Sequence, residues 1–448
     1  MDRPTNPLTI VALVVLASRI DRTLLRELIV KRFLPFERFR CYPACDSLGA
    51  SWVHAAHFEV DAHVLSAALP PRAGQAQLEA LVGELAGTPL NPSRPLWSFH
   101  LVEHYQGGSA IIVRIHHCYA DGIALVRVLL SLADTGAGGT ASSTAEPEHN
   151  VPDAGLLDTA LHNGLQLLSQ GTGLLEKGLH YALHPVEAST VARDALGIAY
   201  EMAHLGTMAD DPPTRLKRSL SGIRRVSWAA PLLLEEVRTI GRVLGCTIND
   251  VLIATLAGAL GRYLEARGDR IPGVTIRAAV PVNLRSGAAD DEGKLGNRFG
   301  LVFVDLPIGI RHPLERLYTV HAGMQTIKAS VQATTTFGLL AAIGYLPAPV
   351  EPPAIALFSA KASLVASNLP GPKEPLMLAG AAISQILFWV PQAGSIGTGV
   401  SMLSYNGRVQ FGVIADHEMI PDPRELIGHV GAEFERLVLL VLLAGGAL

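Results

Sequence analysis

Short apolar runs with the length of buried strands alternate with longer runs of helical periodicity along most of this chain. The first part has strand-like runs at 8–17 and 110–116, each followed by a helical run, at 21–34 and 123–132. The alternation resumes later, with strands at 225–228, 275–281 and 300–305 and a helix at 233–244. A sheet flanked by helices buries the apolar residues of both kinds of run, so the sequence predicts an α/β fold.

The chain is long enough for two large domains. Of its 448 residues, 135–153 are rich in Gly, Ser, Thr, Ala and Pro and lack apolar periodicity, which is typical of a linker. Residues 154–208 show a helical spacing that favours a crossover segment over a separate domain. We therefore predict an N-terminal domain at 1–134, a linker and helical crossover at 135–224, and a C-terminal domain at 225–448.

Composition excludes several classes of function. Charged residues make up 17% of the chain, against about 25% in an average soluble protein, so we expect apolar partners. A net charge of −4 removes the electrostatic basis for a nucleic-acid binder. The four cysteines form no CxxC pair, which excludes a zinc site of the paired-cysteine kind and favours a reducing compartment. The sequence thus predicts no metal.

Three further runs have a local interpretation. The run 8–17 resembles a signal-peptide core but is not followed by a cleavage site, so a buried strand is favoured. The run 437–448 is shorter than the roughly 20 residues needed to span a bilayer, and favours a terminal helix on the core or on a membrane surface. Asn406-Gly407, between strand-like 399–405 and 409–415, predicts a hairpin with a type I′ turn.

The sequence His116-His117-Cys118-Tyr119-Ala120-Asp121-Gly122 follows the strand-like run 110–116. Successive strand residues point to opposite faces, so His116 and His117 cannot readily bind one metal ion together. An imidazole with a pKa near 6.5 suits a general base, and His117 is the candidate. Asp121 lies across a turn that Gly122 would ease, and either orients the imidazole or pairs with an arginine. The alternative is that the histidine pair is a buried polar group in the core, with its hydrogen bonds made to neighbouring residues.

These residues resemble the HHxxxDG signature of the CoA-dependent acyltransferase superfamily. Five other segments resemble elements of one of its families, the bacterial wax ester synthases/diacylglycerol acyltransferases. They are PLNPSRPLW at 89–97, Asn249-Asp250, PVNLR at 281–285, Gly296-Asn297 and SNLPGP at 367–372. The six elements occur in the family's order. The chain begins close to its first strand, without the Ser-Pro-x-Asp element of the family, so we expect a less complete active-site wall.

The resemblance implies two chloramphenicol-acetyltransferase-like domains with mixed sheets, joined by the crossover. It also implies an O-acyltransferase in which His117 deprotonates a long-chain alcohol or diacylglycerol that attacks acyl-CoA. The products would be wax esters or triacylglycerol, with acyl-CoA as co-substrate and no cofactor. We expect a cytoplasmic enzyme, peripherally associated with the inner membrane or lipid bodies. The alternatives are a polyketide- or glycolipid-directed acyltransferase of the same superfamily and a catalytically silent lipid-binding homologue.

The resemblance also suggests roles for individual residues. Asn249 is a candidate for shaping the oxyanion region, or for a structural hydrogen bond. Arg285 is the suggested partner of Asp121, and otherwise contacts phosphate or lies on the surface. His116 is expected to support the strand through a backbone hydrogen bond, although it belongs to the catalytic motif. Trp97 is expected to pack against the histidine strand or to contact substrate.

One basic stretch is left open between two interpretations. It begins at Arg215 and ends at Arg225. Arginine presents a fork that matches phosphate, so the stretch would bind CoA phosphates or anionic lipid headgroups. The alternative is a solvated linker.

Overall fold

A computed structural model describes most of the chain outside the predicted crossover. The described residues are 5–46, 49–135, 203–283, 299–330, 332–333, 335–338 and 351–445. Arg285 and the Gly296-Asn297 element lie outside them, as does 136–202. The predicted domain boundaries therefore stay a prediction.

Strands and helices alternate through the described residues. The strands are β1 (Thr9–Leu16), β2 (Cys41–Asp46), β3 (Gly49–His54), β4 (Val64–Ser66), β5 (Trp97–Tyr105), β6 (Gly108–His116), β7 (Asp134–Thr135), β8 (Arg224–Trp228), β9 (Leu232–Leu233), β10 (Ile276–Asn283), β11 (Phe299–Leu306), β12 (Leu364–Pro370), β13 (Leu376–Leu378), β14 (Ala381–Trp389), β15 (Thr398–Tyr405) and β16 (Arg408–Asp416). The α-helices are α1 (Arg22–Leu28), α2 (Gln75–Gly87), α3 (Gly122–Leu130), α4 (Leu234–Leu244), α5 (Ile248–Ala266), α6 (Pro313–Lys328), α7 (Glu351–Ala360) and α8 (Pro423–Gly445).

The first sheet has the described strand order β4-β5-β6-β1-β14-β13-β7. At its centre β1 runs antiparallel to β6 and to β14, with Thr9 opposite His116 and Val11 opposite Trp389. Both faces of β1 are covered, because Ile10 and Ala12 belong to one apolar cluster and Val11 to another. Burial on both faces explains why this strand is a continuous apolar run in the sequence.

Two strands of the first sheet come from the second half of the chain. β14 pairs with β1, and β13 pairs with β14 and β7. The first sheet is therefore not built from residues 1–134 alone. Local patterns could not reveal this, because periodicity predicts a strand but does not name its neighbours.

The second sheet is mixed and follows the described order β11-β10-β12-β15-β16-β8, with β9 beside β16. β12 runs parallel to both β10 and β15, whereas the other pairs are antiparallel. The predicted hairpin is confirmed: Asn406 and Gly407 both have positive φ, at 47° and 70°, as a type I′ turn requires. The two mixed sheets flanked by helices confirm the predicted fold class.

Helix α5 lies in the core of the second half and is buried along most of its length. Gly258 leaves space for a buried ion pair, because a Cβ there would lie 2.5 Å from a Glu433 oxygen and 2.4 Å from an Arg316 nitrogen. Arg316 donates to Glu433, which also accepts from Arg262 and Arg436. This cluster joins α5, α6 and α8.

The two halves meet where α2 packs on β8. Ser227 Oγ donates to the buried Glu79 carboxylate over 2.8 Å, and Arg424 of α8 donates to its other oxygen over 2.7 Å. Nearby, the rings of Trp228 and Trp389 lie 6.1 Å apart and bring β8 against β14 of the first sheet. The contacts at this seam between the two halves thus combine apolar packing with a buried carboxylate whose two oxygens both accept hydrogen bonds.

One predicted helix differs from the observed element, and the predicted terminal helix is confirmed as far as Gly445. The run 21–34 forms α1, which ends at Leu28 and continues as a π-helical turn over Ile29–Phe33. The apolar run near the C-terminus is the end of α8, where Leu437 is buried. Among the described helices none alone is long and apolar enough to cross a bilayer; α4 and α5 meet that test only as a pair, bent by 100°.

Candidate active site

Neighbouring strands fix the two histidines at the end of β6 on both sides. The His117 backbone N–H donates to the Leu8 carbonyl over 2.8 Å, and the His116 backbone N–H donates to the Leu96 carbonyl over 2.9 Å. The predicted strand 110–116 is confirmed as β6. The double histidine is therefore presented by the rigid centre of the first sheet.

The His117 ring reaches the second half of the chain. It lies edge to face against the ring of Phe299, with the centroids 5.6 Å apart, and Phe299 begins β11 of the second sheet. Burial lowers the pKa of His117, and the Asp121 charge and a hydrogen bond to its own backbone only partly oppose this shift. A lowered pKa keeps the imidazole neutral at physiological pH, which is the state a general base needs.

Asp121 is the N-cap of α3. Its Oδ1 accepts the Ala124 backbone N–H over 2.8 Å, and the residue is buried. The charge of Asp121 also raises the pKa of His117, so the carboxylate acts on the imidazole electrostatically. The predicted alternative, an ion pair with Arg285, falls on a residue outside the described ranges.

Gly122 is the first residue of α3 and does not have positive φ. The expectation that glycine eases the turn by its conformational freedom is wrong for this reason. A Cβ at Gly122 would meet Val390 Cγ1 at 3.4 Å, the edge of ordinary contact. As part of the HHxxxDG motif, Gly122 is also expected to contact substrate, and this stays a prediction.

His116 has a different environment from His117, as the strand alternation predicts. Its Nδ1 accepts the Cys118 backbone N–H over 3.2 Å, which tightens the turn between β6 and α3. This backbone hydrogen bond lies in the turn rather than in the strand, so the expected support of the strand stays a prediction. We assign His116 a positioning role.

Tyr119 anchors the turn after His117. Its hydroxyl donates to the Cys41 carbonyl over 2.7 Å and accepts the Leu96 backbone N–H over 2.9 Å. The ring stacks on Phe39 and lies 5.0 Å from the Trp52 ring of the β2–β3 hairpin. A large side chain at this place in the motif is therefore accommodated by a dedicated aromatic site.

Trp97 is a core residue. It is 1% exposed, stacks on His63 with ring centroids 4.3 Å apart, and donates its Nε1–H to the Phe39 carbonyl over 2.8 Å. It lies opposite Ile115 in the β5–β6 pair, so its expected packing against the histidine strand is confirmed. Its predicted contact with substrate stays a prediction.

Asn249 lies in the first turn of α5 and contacts the SNLPGP element. Its Oδ1 accepts the Nδ2–H of Asn368 over 3.0 Å, and its own Nδ2 faces Met324 Sδ at 3.9 Å. The neighbouring Asp250 completes the capping box of α5 with Thr247. These contacts support the structural alternative for Asn249, and its oxyanion role stays a prediction.

The basic stretch is largely engaged within the protein. Lys217 donates to three backbone carbonyls at the end of α7, Arg215 to the Arg267 carbonyl, and the buried Arg224 to the Gly397 carbonyl. These contacts hold the three side chains to the fold, and phosphate binding by the stretch stays a prediction.

Two residues of the site were not identified from the sequence. Phe299 follows the PVNLR and Gly-Asn elements, but an isolated phenylalanine at the start of a strand gives no signal that it meets a histidine 182 positions away in sequence. Asn368 stands out in the sequence only as part of the SNLPGP element at 367–372. Its polar side chain in a buried strand is a signal that identifies it as a partner for another polar group.

Comparisons with known proteins agree with this geometry. The wax ester synthase/diacylglycerol acyltransferase catalytic domain matches residues 12–252, and the WS/DGAT C-terminal domain matches residues 295–438. A probable diacylglycerol O-acyltransferase of Mycobacterium tuberculosis is 31% identical, over 90% of this chain and 84% of its own.

Solved structures share the fold. A wax ester synthase/diacylglycerol acyltransferase from Marinobacter aquaeolei superposes with a TM-score of 0.67 at 19% identity, over 98% of this chain and 96% of its own. The starter condensation domain of rhizomide synthetase gives a TM-score of 0.57 at 15% identity, over 98% and 90%. The likeness extends over both halves of the chain.

Proposed function

The chain belongs to the wax ester synthase/diacylglycerol acyltransferase family, and from this membership we propose that it transfers a fatty acyl group from acyl-CoA to the hydroxyl of a long-chain alcohol or diacylglycerol. His117 is the proposed general base. The observation that carries the proposal is the position of this imidazole, at the end of β6 and against Phe299 of the other sheet, with a lowered pKa.

The proposed reaction proceeds without a covalent enzyme intermediate. Neutral His117 removes the proton from the acceptor hydroxyl as its oxygen bonds to the thioester carbon, giving a tetrahedral oxyanion. When the C–S bond breaks, the protonated imidazole returns the proton to the CoA sulfur. General-base help of this kind is worth about 10²–10⁴ in rate. Holding both substrates in the seam between the halves supplies a further part by proximity. No resident cofactor enters the reaction.

We propose that the end of α8 associates with a lipid surface on the cytoplasmic side of the inner membrane or on lipid bodies. Leu439, Leu442 and Leu443 are 57%, 65% and 73% exposed, although they close a helix whose earlier turns are buried. Exposed leucines grouped at one helix end favour insertion among lipid headgroups. The long apolar substrates would reach the site from the same surface.

The acceptor is identified by offering the purified protein labelled palmitoyl-CoA with hexadecanol or with dipalmitoylglycerol. We expect a labelled wax ester or triacylglycerol, and its loss in His117→Ala. The matched control is His104→Ala, which removes an exposed histidine of β5. Activity with neither acceptor would contradict the proposed substrates and favour a polyketide- or glycolipid-directed acyltransferase. Binding of palmitoyl-CoA without turnover of any acceptor would favour the silent lipid-binding homologue.

A further inference from the structure

Three metal-ligating side chains meet outside the candidate active site. Cys246 lies in the loop between α4 and α5, Asp250 in the first turn of α5, and His321 in the middle of α6. One ligand atom from each lies within 4.8 Å of the other two. This is a thiol from the loop before α5, a carboxylate from α5 and an imidazole from α6.

The loop holds Cys246 in a fixed place. Its backbone N–H donates to the Gly241 carbonyl over 2.8 Å, and Gly245 ends α4 in the left-handed region at φ 67°. A Cβ at Gly241 would lie 2.7 Å from the Cys246 carbonyl oxygen, so the close approach of the loop to α4 requires glycine there. The thiol therefore arrives beside Asp250 without a mobile segment.

Asp250 has one carboxylate oxygen to spare. Oδ2 accepts from the Thr247 backbone N–H over 2.8 Å and lies 2.7 Å from His321 Nδ1. Oδ1 is buried and has no hydrogen-bond partner among the residues that the structure describes, and the side chain is 1% exposed. A buried carboxylate oxygen without a donor is unfavourable, so this atom points to a ligand that supplies positive charge.

We propose that Cys246, Asp250 and His321 bind one zinc ion. Thiolate, imidazole and carboxylate together suit zinc, whereas calcium and magnesium prefer oxygen ligands alone. Three protein ligands leave the fourth tetrahedral position to water. At zinc–ligand distances of about 2.0–2.3 Å, the contact of His321 Nδ1 with Asp250 Oδ2 would give way to coordination of zinc by Nδ1 and by Oδ1, the oxygen without a donor. The side chain of His321 is 28% exposed.

Zinc binding would exchange one proton for the metal. The Cys246 thiol donates to the Leu244 carbonyl over 3.5 Å. Zinc binds the thiolate, so the proton leaves to solvent and the zinc affinity rises with pH. The bound ion would join α5 to α6 one residue from Asn249, which contacts Asn368. The role of the ion is to hold Asn249 and Asn368 in position. The acyl transfer itself does not involve the ion.

The test measures zinc binding directly. Protein stripped of metal by a chelator is titrated with zinc chloride against a coloured zinc indicator. We expect one tight equivalent for the wild type, and a loss of affinity in Cys246→Ser and in His321→Gln at least as large as the roughly tenfold cost of losing an outer-shell partner. The controls are Cys41→Ser and His104→Gln, which remove a partly exposed cysteine and an exposed histidine elsewhere and should bind as the wild type does.

A second measurement needs no variant and so does not depend on whether the substituted proteins fold. Zinc should slow the alkylation of Cys246 by iodoacetamide in the wild type, read by peptide mass, and leave Cys41 unaffected. The proposal is overturned if the wild type holds no tight equivalent, if folded Cys246→Ser and His321→Gln bind zinc as tightly as the wild type, or if zinc leaves the alkylation of Cys246 unchanged.

Discussion

The ring of His117, at the end of β6, meets the ring of Phe299, at the start of β11, edge to face at a centroid distance of 5.6 Å. These two residues belong to different sheets. The general base proposed for the first half of the chain is thus partly enclosed by the second half. The burial that lowers the pKa of His117 depends on the two halves staying together.

Replacing Phe299 tests this dependence. In Phe299→Ala water gains access to the imidazole, and because burial lowers the pKa of His117, its pKa should rise toward the usual value of about 6.5. The acid limb of kcat/KM, measured from about pH 5 to 8, should therefore move to higher pH. Phe299→Leu keeps most of the burial and should shift the limb less. If the acid limb of kcat/KM lies at the same pH in the wild type, Phe299→Ala and Phe299→Leu, Phe299 does not control the pKa of His117.

Replacing Asp121 by asparagine separates its charge from its helix cap. Asparagine caps helices about as well as aspartate, so Asp121→Asn should keep the stability of α3. The Asp121 charge raises the pKa of His117, so its removal should move the acid limb of kcat/KM to lower pH. Asp121→Ala should shift the limb likewise and also lose about 1 kcal/mol of unfolding free energy. An upward shift in Asp121→Asn would contradict this assignment.

Removing one hydroxyl should loosen the turn after His117. Tyr119→Phe leaves the buried contacts to the Cys41 carbonyl and the Leu96 N–H unmade, at a cost of about 1–3 kcal/mol in unfolding free energy. Urea denaturation measures the cost, and kcat should fall in parallel because the turn positions His117. Tyr318→Phe, at an exposed ring of α6, should change neither quantity. Equal stability of the two variants would refute the anchor.

The buried carboxylate of Glu433 should be essential for the second half. Glu433→Gln leaves Arg316 without its counter-charge in the core, and breaking a buried pair in this way costs about 3–5 kcal/mol. Glu435→Gln changes an exposed glutamate on the same helix and serves as the control. A thermal melt of Glu433→Gln that matches this control would contradict the role given to the cluster.

Local signals in the sequence predicted much of the fold. The continuous apolar run of β1, the strand β6 that ends in the double histidine, and the Asn406-Gly407 turn each follow from neighbouring residues. The order of strands does not. β14 lies beside β1 although more than 360 residues separate them, and no pattern within either strand encodes that pairing.

In the candidate site, too, the sequence predicts the local part but not the long-range contacts. The motif from His116 to Gly122 forms one turn, so its residues were found together. The contacts that set its chemistry are long-range: Phe299 against His117, and Asn368 against Asn249. For Trp97 the sequence left packing and substrate contact open, and the structure shows the packing, with the side chain in the core opposite Ile115.

The rate of ester formation by His117→Ala tests the central claim most directly. With palmitoyl-CoA and the preferred acceptor at pH 7, CoA release should fall by about 10²–10⁴ relative to the wild type, the range a general base contributes. Thermal stability and palmitoyl-CoA binding should be largely retained, because the substitution leaves the backbone N–H of His117, which donates to the Leu8 carbonyl, in place. A folded His117→Ala protein that releases CoA within tenfold of the wild-type rate, on the order of what a non-catalytic change gives, would contradict the account.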